Sequence, residues 1–433
     1  MKKVHVIGAG LAGSEAAWQL AKRNINVVLH EMRPKKMTEA HSSEHFAEMV
    51  CSNTFRSKKL INAAGVLKEE MKYFDSLIMT AALKTEIPAG GALAVDREAF
   101  SKYVSDTLKH HPLITVEYGE VTTIPSDPTI IATGPLTSKA LNESIQNELD
   151  QDSLHFFDAV APIITQDSIN MDICYYKNRY EDDKEGDYIN CPMNEAEYKQ
   201  FYDILTQANT AEIKDFEENV FEGCMPVETM ASRGFDTLRY GPLKPVGLRR
   251  DESHKPFAVV QLRQDDARKT MFNLVGFQTH LTFSEQKRLV QSIPGLENAE
   301  IVRYGVMHKN SFIQAPSHLK STYQTLHRDD LFIAGQLSGV EGYIESAGSG
   351  LIAGINAARL ILEKPLLTFP KDSILGAQAD YLTTANPKHF QPMNANFGLL
   401  SPLGFKHRKK ERKTLYAKRA IEAIQTFKEA IDE

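Results

Sequence analysis

The chain is poor in cysteine and tryptophan, with four Cys and one Trp in 433 residues. Cys51, Cys174, Cys191 and Cys224 lie far apart with no C-x-x-C. That spacing excludes a zinc ribbon or a thioredoxin-type dithiol and points to a reducing cytoplasm. No stretch approaches the roughly 18 apolar residues that a membrane span needs. The chain opens Met1-Lys2-Lys3 and enters an apolar run at once, so a cytoplasmic protein without a signal peptide is expected. Internal repeats and low-complexity segments are lacking too. Neither sign of charge dominates: 50 Lys/Arg against 56 Asp/Glu give −6, which argues against a protein basic all over.

What is present is most informative at the start. The apolar run 4–7 leads into Gly8-Ala9-Gly10-Leu11-Ala12-Gly13, then a helical pattern, then the apolar run 27–30 ending at Glu31. A G-x-G-x-x-G alone is weak, but between a strand and a helix, with an acid about 20 residues on, it is a dinucleotide-binding fingerprint. Gly8 allows the tight turn, Gly10 lets backbone approach a pyrophosphate, and Gly13 lets the helix pack close to its strand. Exposed N–H groups at the helix N-terminus hold phosphate. Glu31 is placed to accept hydrogen bonds from the adenosine ribose.

Two later segments favour FAD over NAD. Residues 129–135 (Thr-Ile-Ile-Ala-Thr-Gly-Pro) form a strand running into a glycine turn, which brings Thr133 and Gly134 to the cofactor. Residues 331–336 (Leu-Phe-Ile-Ala-Gly-Gln) form another, followed by Gly339, Gly342, Gly348 and Gly350 and an apolar helix from Leu351. This arrangement aims a second helix N-terminus at the flavin end, with Gly335, Gln336, Gly342, Gly348, Gly350 and Leu351 expected at the cofactor. Gln336 stands where flavoprotein reductases commonly carry Asp. There is no second strand–G-x-G-x-x-G–acid unit, so a nicotinamide reductant must dock on the flavin without its own Rossmann domain.

The first and third segments are over 300 residues apart yet must meet in one sheet, so the middle is an insertion. The expected fold is α/β: a Rossmann-type, glutathione-reductase-like FAD-binding domain of residues 1–150 and 296–433, with an inserted α+β domain of residues 151–295. A flavin between the two leaves a cleft over its ring where a substrate enters.

Charge is unevenly placed. From Lys406 to Arg419 there are eight Lys/Arg against Glu411 alone, a net of +7 that leaves −13 elsewhere. Such a run is either a footprint for a polyanion, RNA included, or the solvated start of a helix whose stripe (Leu415, Ile421, Ile424, Phe427, Ile431) is buried. Cys51 lies in a polar, cationic loop (Glu48-Met49-Val50-Cys51-Ser52-Asn53-Thr54-Phe55-Arg56-Ser57), and Cys224 in a Gly-Cys-x-Pro turn (Phe221-Glu222-Gly223-Cys224-Met225-Pro226). Cationic neighbours and turns lower a thiol's pKa, whereas cysteine is also a small hydrophobe often simply buried.

Those two cysteine segments, with the fingerprint 6–17, Gly91-Ala92-Leu93-Ala94-Val95-Asp96-Arg97, residues 335–343 (Gly-Gln-Leu-Ser-Gly-Val-Glu-Gly-Tyr) and Met393-Asn394-Ala395-Asn396-Phe397-Gly398, carry a resemblance. Over essentially its whole length the chain resembles the folate- and FAD-dependent tRNA (uracil-54-C5)-methyltransferases of bacteria. The resemblance implies that 5,10-methylenetetrahydrofolate supplies a one-carbon unit to C5 of uridine 54 in the tRNA T arm. FADH2, recharged by NAD(P)H, then reduces that unit to methyl. Uracil C5 is a poor nucleophile until a thiolate adds to C6. Cys224 is the expected nucleophile and Cys51 its partner, base or activator, although the two roles are interchangeable at this level. Tyr343 is expected to stack on flavin, folate or base, or simply to pack; Arg56 and Arg97 to bind phosphate or flavin; and His280 is a candidate for proton transfer. Lys406, Arg408, Lys409, Lys410, Arg412 and Lys413 become the expected tRNA contacts. The competing readings are a flavoprotein modifying the tRNA wobble uridine, a family of longer chains; a small-molecule FAD oxidoreductase; and an RNA-binding scaffold with structural FAD.

Overall fold

A computed structural model describes residues 3–38, 40–150, 154–159, 161–179, 186–211, 225–251, 255–265, 269–305, 307–387, 390 and 392–432. At its centre is a five-stranded sheet, ordered Leu331–Ile333, Thr129–Ile131, Lys3–Ile7, Asn26–Glu31, Ile114–Tyr118. Every pairing in it is parallel. Its strands read as near-continuous apolar runs because helices cover the sheet. The registers Ile7↔Ile131 and Ile333↔Ile131 level the ends of three adjacent strands, from the edge strand Leu331–Ile333 to the central Lys3–Ile7. The three glycine turns foreseen in the sequence therefore open side by side.

The fingerprint helix Leu11–Ala21 and the helix Tyr343–Ile361 cross on this sheet at backbone contact. A Cβ added at Gly350 would stand 2.1 Å from the Ala12 carbonyl oxygen, and one at Gly354 would stand 2.7 Å from that of Ala16. Gly348 faces Leu375 and Leu67, and Leu351 is fully buried. These residues were expected at the cofactor. The structure instead uses Gly348 and Gly350 to let helices approach and Leu351 to fill the core. The C-terminal helix Arg412–Asp432 packs on the helix Ala63–Lys72 with Ala420 and Ile424 fully buried and Ile421, Phe427 and Ile431 half-buried against the core, which leaves Leu415 as the stripe residue outside that cluster.

The insertion has its own six-stranded antiparallel sheet, ordered Tyr175–Tyr176, Tyr188–Met193, Ala258–Gln264, Met271–Leu274, Ile163–Thr165, Ile301–Arg303. Helices Glu195–Gln207 and Phe283–Gln291 contribute Tyr198, Phe201, Leu205 and Leu289 to a separate core with Val260, Leu262 and Phe272. Asn194 and Glu197 close a capping box at the first of these helices. The return to the parallel sheet comes later than residue 296. Ile301–Arg303 pairs with Ile163–Thr165, and Met307–Phe312 pairs with Leu154–Ala159 in a two-stranded connection between the units. Cys174 and Cys191 lie in the insertion core, fully buried, with their sulfurs 3.4 Å apart. Burial pushes the Cys191 thiol well above its ordinary value. These two are hydrophobic residues.

Candidate functional site

The levelled strand ends enclose one long cavity. At one end it is walled by Gly8, Gly10, Leu11 and Ala12 of the fingerprint with Glu31; in the middle by Thr133 and Gly134; at the other end by Gly335, Gln336, Tyr343 and Ser346. Gly8, at φ +96°, turns the chain, and a Cβ there would meet the Ala132 carbonyl at 2.7 Å. A Cβ added at Gly10 or Gly134 would meet no protein atom within 4 Å. The fingerprint thus leaves a cradle open toward the cavity, at the N-terminus of the helix Leu11–Ala21, where N–H groups and dipole favour phosphate. Gly13 is a packing residue, as its place in the fingerprint requires. The residues present fit FAD laid from Glu31 to Tyr343.

Glu31 is held from within the protein. Its carboxylate accepts Ala9 N–H at 3.1 Å and both the backbone N–H and Nε–H of Arg33 at 3.0 Å. Burial pushes this carboxyl up, but the Arg33 bonds outweigh it and hold the value below the ordinary one. Arg33 reaches on to Glu48, 3.2 Å away, which also takes the Ser42 and Ser43 hydroxyls at 2.8 Å. Thr38, His41 and Glu48 line the same end of the cavity. Sequence reasoning misses this clasp of Arg33 and Glu48; its only signal there is Arg33 two positions after the fingerprint acid.

At the opposite end Tyr343 begins its helix. Its hydroxyl oxygen lies 2.8 Å from the backbone nitrogen and 2.8 Å from Sγ of Cys51, and 3.3 Å from the nitrogen of Ser52. The ring meets Phe55 edge-on. Arg97 and Arg263 both interact electrostatically with Cys51, and a cationic surround is where reactive thiols are found. Cys51 is half-buried, next to Val50 in sequence and against Tyr343, both of which line the cavity.

Other expected residues are placed differently. Arg97 is half-buried and does not line the cavity; it is bound to Asp265 and to the Met49 carbonyl. Arg56 pairs with the buried Glu345, and Gly342 caps the helix at φ +111°. Gln336 stands in the cavity wall as expected, and its amide also reaches Glu341 at 2.8 Å. His280 Nδ1 is 2.5 Å from Glu228 Oε1, and Glu228 also accepts the His280 backbone N–H at 2.9 Å and the Thr279 hydroxyl at 2.8 Å. Cys224 lies outside the described residues. Lys406, Arg408, Lys409, Lys410, Arg412 and Lys413 are all exposed.

A family profile described as "Glucose inhibited division protein A" matches residues 3–365, which includes every element of the cavity. Full-length similarity is closer still. The chain is 58% identical over 431 residues to the methylenetetrahydrofolate-tRNA-(uracil-5-)-methyltransferase TrmFO of Bacillus velezensis, covering 99% of each chain. It is 58% identical over 433 residues to the TrmFO of Listeria monocytogenes serotype 4b, covering 99% of this chain and 100% of the other. The chain belongs to the TrmFO methyltransferase family. The fold matches Aquifex aeolicus GidA with a TM-score of 0.73 at 17% identity, over 99% of this chain and 73% of that one. The TrmFO similarity, unlike the profile match, continues through the basic run after residue 405. Among the described residues, no helix is long and apolar enough to cross a membrane.

Proposed function

We propose that this TrmFO-family chain methylates C5 of uridine 54 in the tRNA T loop, with 5,10-methylenetetrahydrofolate as carbon donor and NAD(P)H as the source of electrons. The observation that carries the reading is the Cys51 thiol on the hydroxyl of Tyr343, a residue that lines a cavity built for an adenine dinucleotide. Bound FAD, held by the fingerprint turn, Thr133–Gly134 and Gly335–Gln336, supplies the two electrons that separate a methylene group from a methyl group.

The chain's own residues prepare the uracil. The Cys224 thiolate adds to C6, and the electron pair of the C5–C6 double bond moves into the ring carbonyl as an enolate. C5 then attacks the one-carbon unit while it is still bound to the folate nitrogen. Cys51, oriented by Tyr343, removes the C5 proton, and the carbon–nitrogen bond breaks with its electron pair leaving on the folate. Once the exocyclic carbon has gained a proton and the two electrons as a hydride equivalent, the Cys224 sulfur leaves C6 and the C5–C6 double bond re-forms. The basic surface from Lys406 to Lys413 holds the tRNA backbone and contributes affinity rather than base recognition.

The test uses purified protein, an unmodified tRNA transcript, NADPH, and either methylene-labelled 5,10-methylenetetrahydrofolate or methyl-labelled S-adenosylmethionine. Label at the T-loop uridine from folate alone, lost in Cys224→Ala, is expected. Flavin turnover with no label in tRNA from either donor would replace this reading with a small-molecule oxidoreductase.

A further inference from the structure

Cys51 belongs to the flavin-binding unit, yet much of what holds its loop comes from the insertion. Asn53, fully buried, donates through Nδ2 to the carbonyls of Val95 at 3.2 Å and Gln264 at 2.9 Å. Its Oδ1 accepts Arg263 Nε–H at 3.1 Å, while Arg263 Nη2 donates to the Ser52 hydroxyl at 2.9 Å. Residues 263 and 264 end one insertion strand, and Asp265 follows directly. So the two residues after Cys51 are bound to the edge of the other domain.

On the near side of Cys51 a single side chain does the same. Arg97, the first residue of the helix Arg97–Lys109, donates from Nη1 to the Met49 carbonyl at 2.7 Å and the Val50 carbonyl at 3.4 Å. From Nε and Nη2 it grips Asp265 Oδ1 at 3.2 and 2.9 Å. Asp265 is itself fixed by Asn273 Nδ2 at 3.0 Å. A planar guanidinium engages two partners at once on opposite edges, whereas an ammonium on its flexible stem acts as a point charge. Burial draws the Arg97 guanidinium down, but the neighbouring Asp265 more than restores it, so the guanidinium keeps its charge in the folded protein.

We propose that Arg97 and Asp265 are positioning residues, a latch through which the docked insertion domain sets the backbone of Cys51 against Tyr343. Neither touches the reacting atoms. The latch deepens the reading of Cys51 as part of the chemistry and rests on it only for its effect on turnover. It gives a role to an arginine that does not line the cavity but holds the carbonyl of Val50, which does. It also makes the geometry of a thiol in one domain depend on the seating of the other.

Two variants test this in the FAD-loaded protein, with iodoacetamide labelling of Cys51 followed by peptide mapping, alongside steady-state methylation. Asp265→Asn removes the charge and keeps the shape. Arg97→Lys keeps the charge and loses the two-sided grip, and it serves alone if Asp265→Asn loses its fold or flavin. Both are expected to alkylate several-fold faster at Cys51, with kcat down by about 100-fold, the loss that a displacement of about 1 Å inflicts. KM for tRNA stays at its wild-type value. Wild-type alkylation in both variants overturns the latch whatever turnover does. Wild-type alkylation in Arg97→Lys alone also overturns it, leaving charge as the whole effect. Faster alkylation with wild-type turnover supports the latch and overturns the role of Cys51 in the chemistry.

Discussion

The Tyr343 hydroxyl meets Cys51 twice, at 2.8 Å from its backbone nitrogen and 2.8 Å from its sulfur, across 292 residues of sequence. The N–H groups of Cys51 and Ser52 can only donate, so they occupy the lone pairs of the phenolic oxygen. The phenolic proton is left for Sγ. Burial, with Cys51 adding to it, pushes the Tyr343 phenol well above its ordinary value, so that proton stays in place at neutral pH. Tyr343 therefore fixes the thiol's orientation and gives it a donor.

Tyr343→Phe removes that donor and strands two backbone N–H groups at the edge of a buried site. Each stranded donor costs about 1–3 kcal/mol, and a loss of that size falls on turnover as about 10- to 100-fold. Flavin content is expected to hold, because the phenyl ring keeps its contact with Phe55. Steady-state methylation beside the flavin-to-protein absorbance ratio checks it. Loss of flavin in proportion to activity would make Tyr343 a cofactor-packing residue instead.

Gly10 and Gly13, three residues apart in one fingerprint, are expected to fail in different ways. A methyl at Gly13 would lie 1.8 Å from the Gly8 carbonyl oxygen, so Gly13→Ala forces the helix off its strand. Overpacking of this kind costs about 1–3 kcal/mol or more. A methyl at Gly10 meets no protein atom, and the residue's φ of −72° suits alanine. Gly10→Ala should keep the wild-type apoprotein melting temperature and lose affinity for FAD, whereas Gly13→Ala should lower the melting temperature before flavin is considered. Equal melting temperatures in the two variants would contradict this assignment.

Replacing Lys409, Lys410 and Lys413 with alanine should weaken tRNA binding without changing turnover at saturating tRNA. All three side chains are exposed, so stability is expected to stay within about 0.5 kcal/mol of wild type. Each RNA phosphate left without its lysine should flatten the slope of log K against log salt by about 0.7 to 0.9. Filter binding from low to moderate salt reads that slope. An unchanged slope would leave the run as the solvated start of the helix Arg412–Asp432.

Legibility in the sequence depends on distance along the chain. The fingerprint is readable because Gly8, Gly10 and Gly13 act within one turn, and Glu31 follows where a strand, a helix and a strand must put it. The levelling of three strands follows from three similar segments. Gly350 misleads because a glycine facing a ligand and a glycine facing the Ala12 backbone look identical in sequence. Arg97 reads as a ligand-binding arginine because its partner Asp265 stands 168 residues away in another domain. The strand Ile301–Arg303 escapes notice because three residues carry no alternation long enough to show a period. Tyr343 stands out within its glycine-rich segment, but its pairing with Cys51 exists only once the chain has folded.

Glu70 gives the stability of the fold a pH dependence unrelated to catalysis. It lies fully buried in the helix Ala63–Lys72, and its two carboxyl oxygens accept Ile374 N–H at 2.7 Å and Leu375 N–H at 2.8 Å. Those donors open the helix Ile374–Thr384, so Glu70 caps it from a neighbouring element. Burial pushes this carboxyl from its ordinary 4.5 up to about 8, against the pull of the two N–H groups. Between those values the folded protein keeps a proton that the unfolded chain has released. Folding there takes up a proton, so this group's contribution to stability is full below about 4.5 and drains away as pH rises to about 8. Glu70→Gln cannot titrate and retains one acceptor for the helix. Urea unfolding at pH 5 and pH 8 should show wild type losing more stability than Glu70→Gln over that interval, by a margin of the order of a few kcal/mol. Parallel losses in the two proteins would mean that Glu70 ionises in the folded protein as readily as in the unfolded chain.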